Sequence, residues 1–138
     1  MLSKQFLREL AIAKVSDAHF LLQHGRYANS YSLHGYGIEL GLKACISRVF
    51  LAETIPDKRL VLDIYSHDLV RLAGMAGLTA ALDARKLASV SFAANWATVA
   101  NWSEESRYEV VDQFEATAMD AAMMDQQDGV FPWLQLNW

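Results

Sequence analysis

Apolar residues recur every three or four positions along most of this chain, the spacing that places them on one face of an α-helix. Only two prolines occur, and runs of β-branched residues are few. The pattern therefore predicts an all-α fold. We expect an antiparallel bundle of four to five helices, with a short third helix set across the long ones.

The first two predicted helices are separated by a short turn at Gly25. The first runs from Ser3, which can cap it, to His24, and Gly25 ends it. The second spans about 27 to 52. The inward stripe expected on the first is imperfect and comprises Phe6, Leu7, Leu10, Ala13 or Lys14, Asp17 and Leu21. The core face expected on the second comprises Tyr27, Tyr31, His34, Ile38, Leu42, Cys45 and Val49.

Three glycines lie inside the second predicted helix, at Gly35, Gly37 and Gly41. Each costs about 1 kcal/mol relative to alanine in a helix, so a compensating contact is expected. Gly37 and Gly41 are one turn apart, which lets another helix or a ligand approach the backbone closely. A close helix crossing is the preferred explanation, and in a homodimer that crossing could lie between subunits.

The middle of the chain is predicted to hold an irregular connection and two further helices. The connection covers 53–65, because Pro56 interrupts the helical pattern there. A short third helix is expected from a Ser66 cap to near Gly77, and a fourth from a Thr79 cap to about Asn101. The bulky residues expected to pack from the fourth helix are Leu82, Leu87, Val90, Phe92, Trp96 and Val99.

The fifth predicted helix begins at a possible capping box formed by Ser106 and Glu109, which would put Arg107 at its first position. It would continue to about Gln127, and the residues expected along it include Phe114, Ala118 and Ala121. The tail at 129–138 is too apolar to be left in water. We expect it either to close the base of the bundle or to dock on a second subunit.

Composition is that of one compact domain covering 1–138, with 53% hydrophobic and 20% charged residues. No apolar run approaches the roughly eighteen residues that a membrane span needs. The N-terminal residues lack the apolar core of a signal peptide, so a cytoplasmic protein without membrane contact is expected. The single Cys45 is expected to be a buried small hydrophobe.

Charge is distributed unevenly along the chain. Residues 1–86 hold eleven basic and eight acidic side chains, a net charge of +3. Residues 87–138 hold eight acidic side chains and one cation, Arg107, a net charge of −7. Because phosphate binding relies on clustered Lys and Arg, this argues against wrapping long nucleic acid, and any such contact should be local. The acidic residues can equally form a solvated face.

Three stretches of the chain resemble the HEPN domains, a family of small helical modules tied to nucleotides and RNA. They are GRYANSYSLHGYGIELGLKA at 25–44, YSHDL at 65–69 and SRY at 106–108. Within the first, Glu39-x-x-Leu42-Lys43-Ala44 is similar to the second-helix signature of the family. The resemblance covers about 14 to 122. It implies a helical bundle that commonly pairs as a homodimer, and a nucleotidyltransferase-like partner in a toxin–antitoxin or defence setting.

Arg107 and Tyr108 are the first candidates for ligand binding. A guanidinium presents a rigid fork of donors suited to phosphate, and Tyr108 can stack on a base or pack inward. Family members often carry a similar Arg-Tyr pair at the start of the last long helix. The alternative is that neighbouring acids hold Arg107 in an ion pair. Those acids are Glu104, Glu105, Glu109 and Asp112.

Four further candidates are His67, Asp68, Glu39 and Lys43. His67 and Asp68 resemble the family's His-Asp-Leu signature and can either organise the start of the third helix or contact a phosphate. Glu39 and Lys43 are one turn apart and can form a helical ion pair. If Glu39 instead points into the bundle toward Arg107 or His67, it is a buried acid that needs a partner.

The ribonuclease members of the family carry an Arg followed, after four to six residues, by a His. Here Arg59 and His67 have seven residues between them, as do Arg26 and His34, and no His follows Arg107. No metal-ligand spacing or cofactor motif is present, so neither a metal nor a cofactor is expected. The expected function is a non-catalytic module that binds a nucleotide or short RNA, or that docks to a nucleotidyltransferase-like partner. A metal-independent ribonuclease and a purely structural dimerisation module are the alternatives.

Overall fold

A computed structural model describes residues 2–138 and confirms the all-α class. Within those residues there is no β-strand, and two 3₁₀ turns, Ser47–Val49 and Glu104–Tyr108, accompany the α-helices. The α-helices are α1 (Lys4–Gln23), α2 (Tyr27–Ile46), α3 (Lys58–Asp63), α4 (Leu69–Met75), α5 (Thr79–Ala88), α6 (Val90–Ala100), α7 (Gln113–Met124) and α8 (Val130–Asn137). None of these helices is long and apolar enough to cross a bilayer.

Helix α2 lies at the centre of the bundle and packs against α1, α4, α7 and α8. Its glycines make this possible. A Cβ on Gly37 would lie 2.5 Å from Val15 Cγ2 of α1, and one on Gly41 would lie 2.5 Å from Leu134 Cδ2 of α8. The close crossings predicted from these glycines therefore occur within one chain.

The third glycine, Gly35, accommodates a loop residue. The indole of Trp102 occupies the space that a Cβ on Gly35 would need. Trp102 is itself buried and contacts Tyr36 edge-on, with ring centroids 5.1 Å apart. The loop after α6 is thus anchored on α2, which positions the Glu104–Tyr108 turn.

The limits of α1 are confirmed, but its predicted inward stripe is largely wrong. Ser3 Oγ accepts a hydrogen bond from the Phe6 amide, and Gly25 has a φ of 73° after the last turn. Phe6 is exposed. The buried residues are Leu7, Ala11, Val15 and Ala18. Since three of these are small, α2 can pack close to α1, and a search for bulky residues misses that face.

Helix α2 is shorter than predicted, and the connection after it is partly helical. The helix ends at Ile46, where the Ser47 hydroxyl donates to the Ala44 carbonyl, and Val49 is exposed rather than core. The Asp57 side chain accepts from the Arg59 amide and starts α3 inside the segment expected to be irregular.

Helix α4 begins two residues later than predicted. Its cap is Asp68, whose carboxylate accepts from the Arg71 amide, whereas Ser66 Oγ accepts from the Asp68 amide in the preceding turn. The inward positions were predicted correctly, because Leu69, Leu72 and Ala73 are buried.

The single fourth helix of the prediction is two helices, α5 and α6, divided at Ser89. Ser89 has an extended backbone, and its Oγ accepts from the Phe92 amide, which caps α6. The break turns Leu87 and Val90 into solvent, so their predicted core role is wrong. Thr79 is not a cap either, since it is the first residue of α5 and the preceding residue makes no side-chain cap bond.

The capping box predicted at Ser106 and Glu109 does not form. Residues 104–108 make a 3₁₀ turn, Ser106 Oγ is buried without a hydrogen-bond partner within residues 2–138, and α7 starts only after Asp112, which accepts from the Glu115 amide. Phe114 and Ala121 are exposed and Ala118 is half-buried. The residues that α7 buries are Ala116, Met119, Asp120, Ala122 and Met123.

The apolar tail closes the base of the bundle, the first of its two predicted roles. It forms α8, whose Trp133 contacts Phe92 and Trp96 of α6 at centroid distances of 5.5 and 6.4 Å. The residues that α8 buries are Val130, Phe131, Trp133 and Leu134. These apolar side chains are therefore buried within one chain.

Candidate functional site: the His67 cleft and the Phe114 face

Glu39 is a buried carboxylate in the middle of α2, only 4% exposed. His67 Nδ1 donates a hydrogen bond to Glu39 Oε1, and Lys43 Nζ lies 3.5 Å from the same oxygen. Glu39 therefore points toward His67, one of the two directions left open by the sequence, and not toward Arg107. Its two donors offset the cost of placing a charge inside the bundle.

The other side of the His67 ring faces a second carboxylate. His67 Nε2 lies 3.1 Å from Glu104 Oε2, on the 3₁₀ turn. Both ring nitrogens of His67 therefore face a carboxylate of the chain itself. Neither nitrogen is left free for a ligand unless one of these two contacts breaks.

A cleft of about 480 Å³ lies beside His67. Its lining comprises Ser66, His67, Asp68, Ala100, Asn101, Trp102, Ser103, Glu104 and Glu105. Three of these side chains are carboxylates, although Asp68 is also used as the cap of α4. We name this the His67 cleft. Its charge opposes a bound phosphate and favours a cationic or hydrogen-bond-donating ligand group.

Arg107 and Tyr108 lie outside the His67 cleft, on the 3₁₀ turn that also supplies Glu104. The Arg107 guanidinium stacks over the Tyr108 ring, 4.9 Å from its centroid. Among residues 2–138, no carboxylate forms an ion pair with Arg107. The alternative in which its acidic neighbours hold Arg107 is therefore not what the structure adopts. Nor is Arg107 at an α-helix N-terminus, because α7 begins at Gln113.

Three large side chains next to Arg107 stand in solvent. Tyr108 is 78% exposed, Val110 95% and Phe114 81%. Acidic residues alternate with them, at Glu109, Asp112 and Glu115. Together with Tyr31 these six residues make up what we name the Phe114 face.

Tyr31 links the Phe114 face to the bundle. It is half-buried and lines a cleft of about 470 Å³ together with Phe114 and Glu115. Burial raises the pKa of the Tyr31 phenol, and the charges of Glu115 and Glu109 raise it further. Tyr31, Phe114 and Glu115 therefore lie around one cleft.

A buried polar cluster that the sequence analysis missed lies on the opposite side of α2. Asp120 Oδ1 is 2.8 Å from His34 Nε2 and 3.1 Å from His19 Nδ1. Burial by itself would raise the pKa of Asp120, but the hydrogen bonds from His34 and His19 outweigh it and hold the pKa below its usual value. An acid within the apolar run around Met119 and a His on the core face of α2 were the available signals.

Within residues 2–138, no group of three or more His, Cys, Asp or Glu side chains is arranged to hold a metal ion. Comparisons of the chain with protein-family models, with curated proteins and with solved structures found no match.

Proposed function

We propose that this chain is a non-catalytic, HEPN-like module that docks to a protein partner through the Phe114 face. The observation that carries this is the exposure of Tyr108, Val110 and Phe114 within seven residues. Large side chains left in water cost free energy that burial against a partner recovers, and aromatic residues often dominate binding at interfaces. Grouped exposed apolar residues on a small domain are typical of an interaction site.

The charge of this face specifies the kind of partner. Glu109, Asp112 and Glu115 alternate with the apolar residues along the chain, and Arg107 is the one cation of residues 87–138. Complementary charge steers association and rejects partners of like charge, so the partner surface should be apolar with basic residues around it. The HEPN resemblance implies that this partner is a nucleotidyltransferase-like protein in a toxin–antitoxin or defence setting.

The His67 cleft supports the non-catalytic part of the proposal. Its one histidine is engaged by Glu39 on one side and faces Glu104 on the other. Acid–base cleavage of RNA needs a group that can accept a proton near the reacting hydroxyl. The arrangement favours a structural role for His67, in which it joins α2 to the segment before α4.

A labelled amphipathic helical peptide of lysine and leucine tests the proposal directly, with a glutamate and leucine peptide as the charge control. We expect the basic peptide alone to bind, and Phe114→Ala to weaken binding about fivefold or more. Leu87→Ala is the matched control, because Leu87 is equally exposed but lies at the end of α5. Equal effects of the two substitutions, or equal binding of the two peptides, would rule the face out.

A nucleotidyltransferase-like protein encoded beside this chain, where one exists, gives a second test. Co-expression should yield a complex that Phe114→Ala disrupts and Leu87→Ala preserves. A complex that survives Phe114→Ala would place the contact on another surface. Melting temperatures of all variants should agree within a few degrees, because both side chains are exposed.

The second candidate function is binding of a nucleotide or short single-stranded RNA at Arg107 and Tyr108. Among residues 2–138 no carboxylate forms an ion pair with Arg107, whose guanidinium stacks on the exposed Tyr108 ring, and this favours the second candidate. Labelled single-stranded RNA and free nucleotides should bind weakly at low salt and lose binding with Arg107→Ala. Arg26→Ala, at an exposed position before α2, is the control. Cleavage of the RNA during the titration would contradict the non-catalytic assignment.

A further inference from the structure

A third cavity lies at the end of the bundle where α1 begins and α2 finishes. It has a volume of about 350 Å³. Its walls come from both helices, from α3 and from the segments that flank α3. The lining residues are Leu2, Leu7, Leu40, Lys43, Ser47, Phe50, Val61, Ile64 and Tyr65. We name it the Lys43 cavity.

The Lys43 cavity differs from the His67 cleft and the Phe114 face in its lining and in its charge. Seven of its nine lining side chains are apolar or aromatic. None is a carboxylate, and Lys43 is the one charged residue among them. Its volume falls within the range of small-ligand sites, which are concave, mostly apolar and furnished with a few polar groups that orient the ligand.

Lys43 has donor capacity to spare. An ammonium group carries three N–H donors, and the one hydrogen bond of Lys43 within residues 2–138 goes to Glu39 at 3.5 Å. That is longer than the roughly 2.7–2.9 Å usual for a charge-assisted bond. Glu39 is held at the same oxygen by His67, so it does not depend on Lys43 alone.

Ser47 contributes less to recognition. Its hydroxyl already donates to the Ala44 carbonyl, 2.6 Å away, at the end of α2. The orienting charge of the Lys43 cavity is therefore the Lys43 ammonium, and a ligand that fits must bring one acceptor anion and an apolar body.

We infer that the Lys43 cavity binds an aliphatic monocarboxylate, with the carboxylate on Lys43 and the hydrocarbon chain against Leu7, Leu40 and Ile64. Among residues 2–138 no second cation lines the cavity, so a second anionic charge on the ligand would have no side-chain partner there. This site is separate from the Phe114 face, and its occupancy does not depend on the docking proposed there.

Titration calorimetry with decanoate below its micelle concentration, and with decanol below its solubility limit, tests the inference. The two probes share a hydrocarbon chain and differ in the charge of the head group. Decanoate should bind more tightly than decanol, and Lys43→Met should remove this preference, weakening decanoate about tenfold or more while leaving decanol nearly unchanged. Lys86→Met is the matched control, because Lys86 also pairs with an acid on its own helix, Asp83, but lies on α5.

A blocking variant locates the ligand. Val61→Trp, on the short α3, should fill the cavity and abolish binding of both probes. Equal affinity for decanoate and decanol in the wild type would overturn the inference. So would a preference retained by Lys43→Met, binding unaffected by Val61→Trp, or no binding of either probe to the wild type.

Discussion

The carboxylate of Glu39 and the ring of His67, twenty-eight residues apart in the chain, meet inside the bundle and join the middle of α2 to the segment before α4. Glu39 is buried, while His67 is partly exposed and faces Glu104 on its outer side. The same histidine therefore has one partner in the interior and one near solvent, and the two contacts should contribute different amounts to the free energy of unfolding.

Removal of His67 should cost far more stability than removal of the Glu104 charge. His67→Ala leaves Glu39 with Lys43 as its one donor, at 3.5 Å, and should lower the free energy of unfolding by about 1–3 kcal/mol. Glu104→Gln removes a partly exposed ion pair and should cost less than about 1 kcal/mol. Urea unfolding followed by tryptophan fluorescence measures both. Equal losses would mean that the inner contact does not hold the helices together.

The Asp120 cluster should make stability depend on acidification. Hydrogen bonds from His34 and His19 hold the folded-state pKa of Asp120 below its ordinary value of 3.8. A depressed pKa contributes stability that is present above the ordinary value and is lost as the pH falls through the folded pKa. The wild type should therefore exceed Asp120→Asn in unfolding free energy at neutral pH, and the difference should shrink between roughly pH 5 and pH 2.

The control for this experiment is Asp17→Asn, since Asp17 is exposed on α1. Its difference from the wild type should be small throughout the titration. A difference for Asp120→Asn that stays constant, or widens on acidification, would show that the carboxylate is not stabilised by its histidine partners.

Gly35 should be intolerant of even one added methyl group. A Cβ at this position collides with the Trp102 indole, so Gly35→Ala should destabilise the protein by about 1–3 kcal/mol despite the better helix propensity of alanine. Gly74→Ala, on the exposed side of α4 with its nearest atom 3.9 Å away, should be neutral or stabilising by up to roughly 1 kcal/mol. Thermal unfolding of the two variants tests this, and similar shifts in their melting temperatures would contradict the steric argument.

Cys45 should be unreactive in the folded protein. Burial raises the pKa of its thiol, with Arg48, Lys4 and Arg8 opposing the shift, and its Sγ lies 3.7 Å from the Asn137 carbonyl. Iodoacetamide at neutral pH should modify it only after unfolding, because the thiolate is the reactive form. The double variant Cys45→Ala/Ala80→Cys places a thiol on the exposed side of α5 and should react at once. Rapid modification of native Cys45 would show that α8 opens readily.

Helix existence and several helix ends were predictable because they depend on neighbouring residues. The Ser3 cap and the turns at Gly25 and Gly77 follow from local hydrogen bonding and from the tolerance of glycine for positive φ. The break at Ser89 was not predictable in the same way. Apolar residues continue through it, and only packing against the rest of the bundle decides that Leu87 and Val90 face solvent.

The candidate site was predictable in part. Glu39 and His67 were both singled out, but whether Glu39 would meet His67 or Arg107 depended on the rotation of α2. The predicted position of Arg107 at the start of a helix was wrong. A capping box is a local pattern, and the 3₁₀ turn that follows the anchored Trp102 forms in its place. For the same reason the start of α7 was predicted several residues too early.

By itself the sequence determined that this chain is helical and that Cys45 belongs to the core, since periodicity specifies these locally. Only the tertiary structure decided that Asp120 lies between two histidines and that Phe114 lies in solvent. Both results depend on how each helix is rotated about its axis, which contacts between residues distant in the chain decide. Where a helix face is alanine-rich or mixed, its sequence pattern does not specify that rotation, and the packing of the whole bundle sets it.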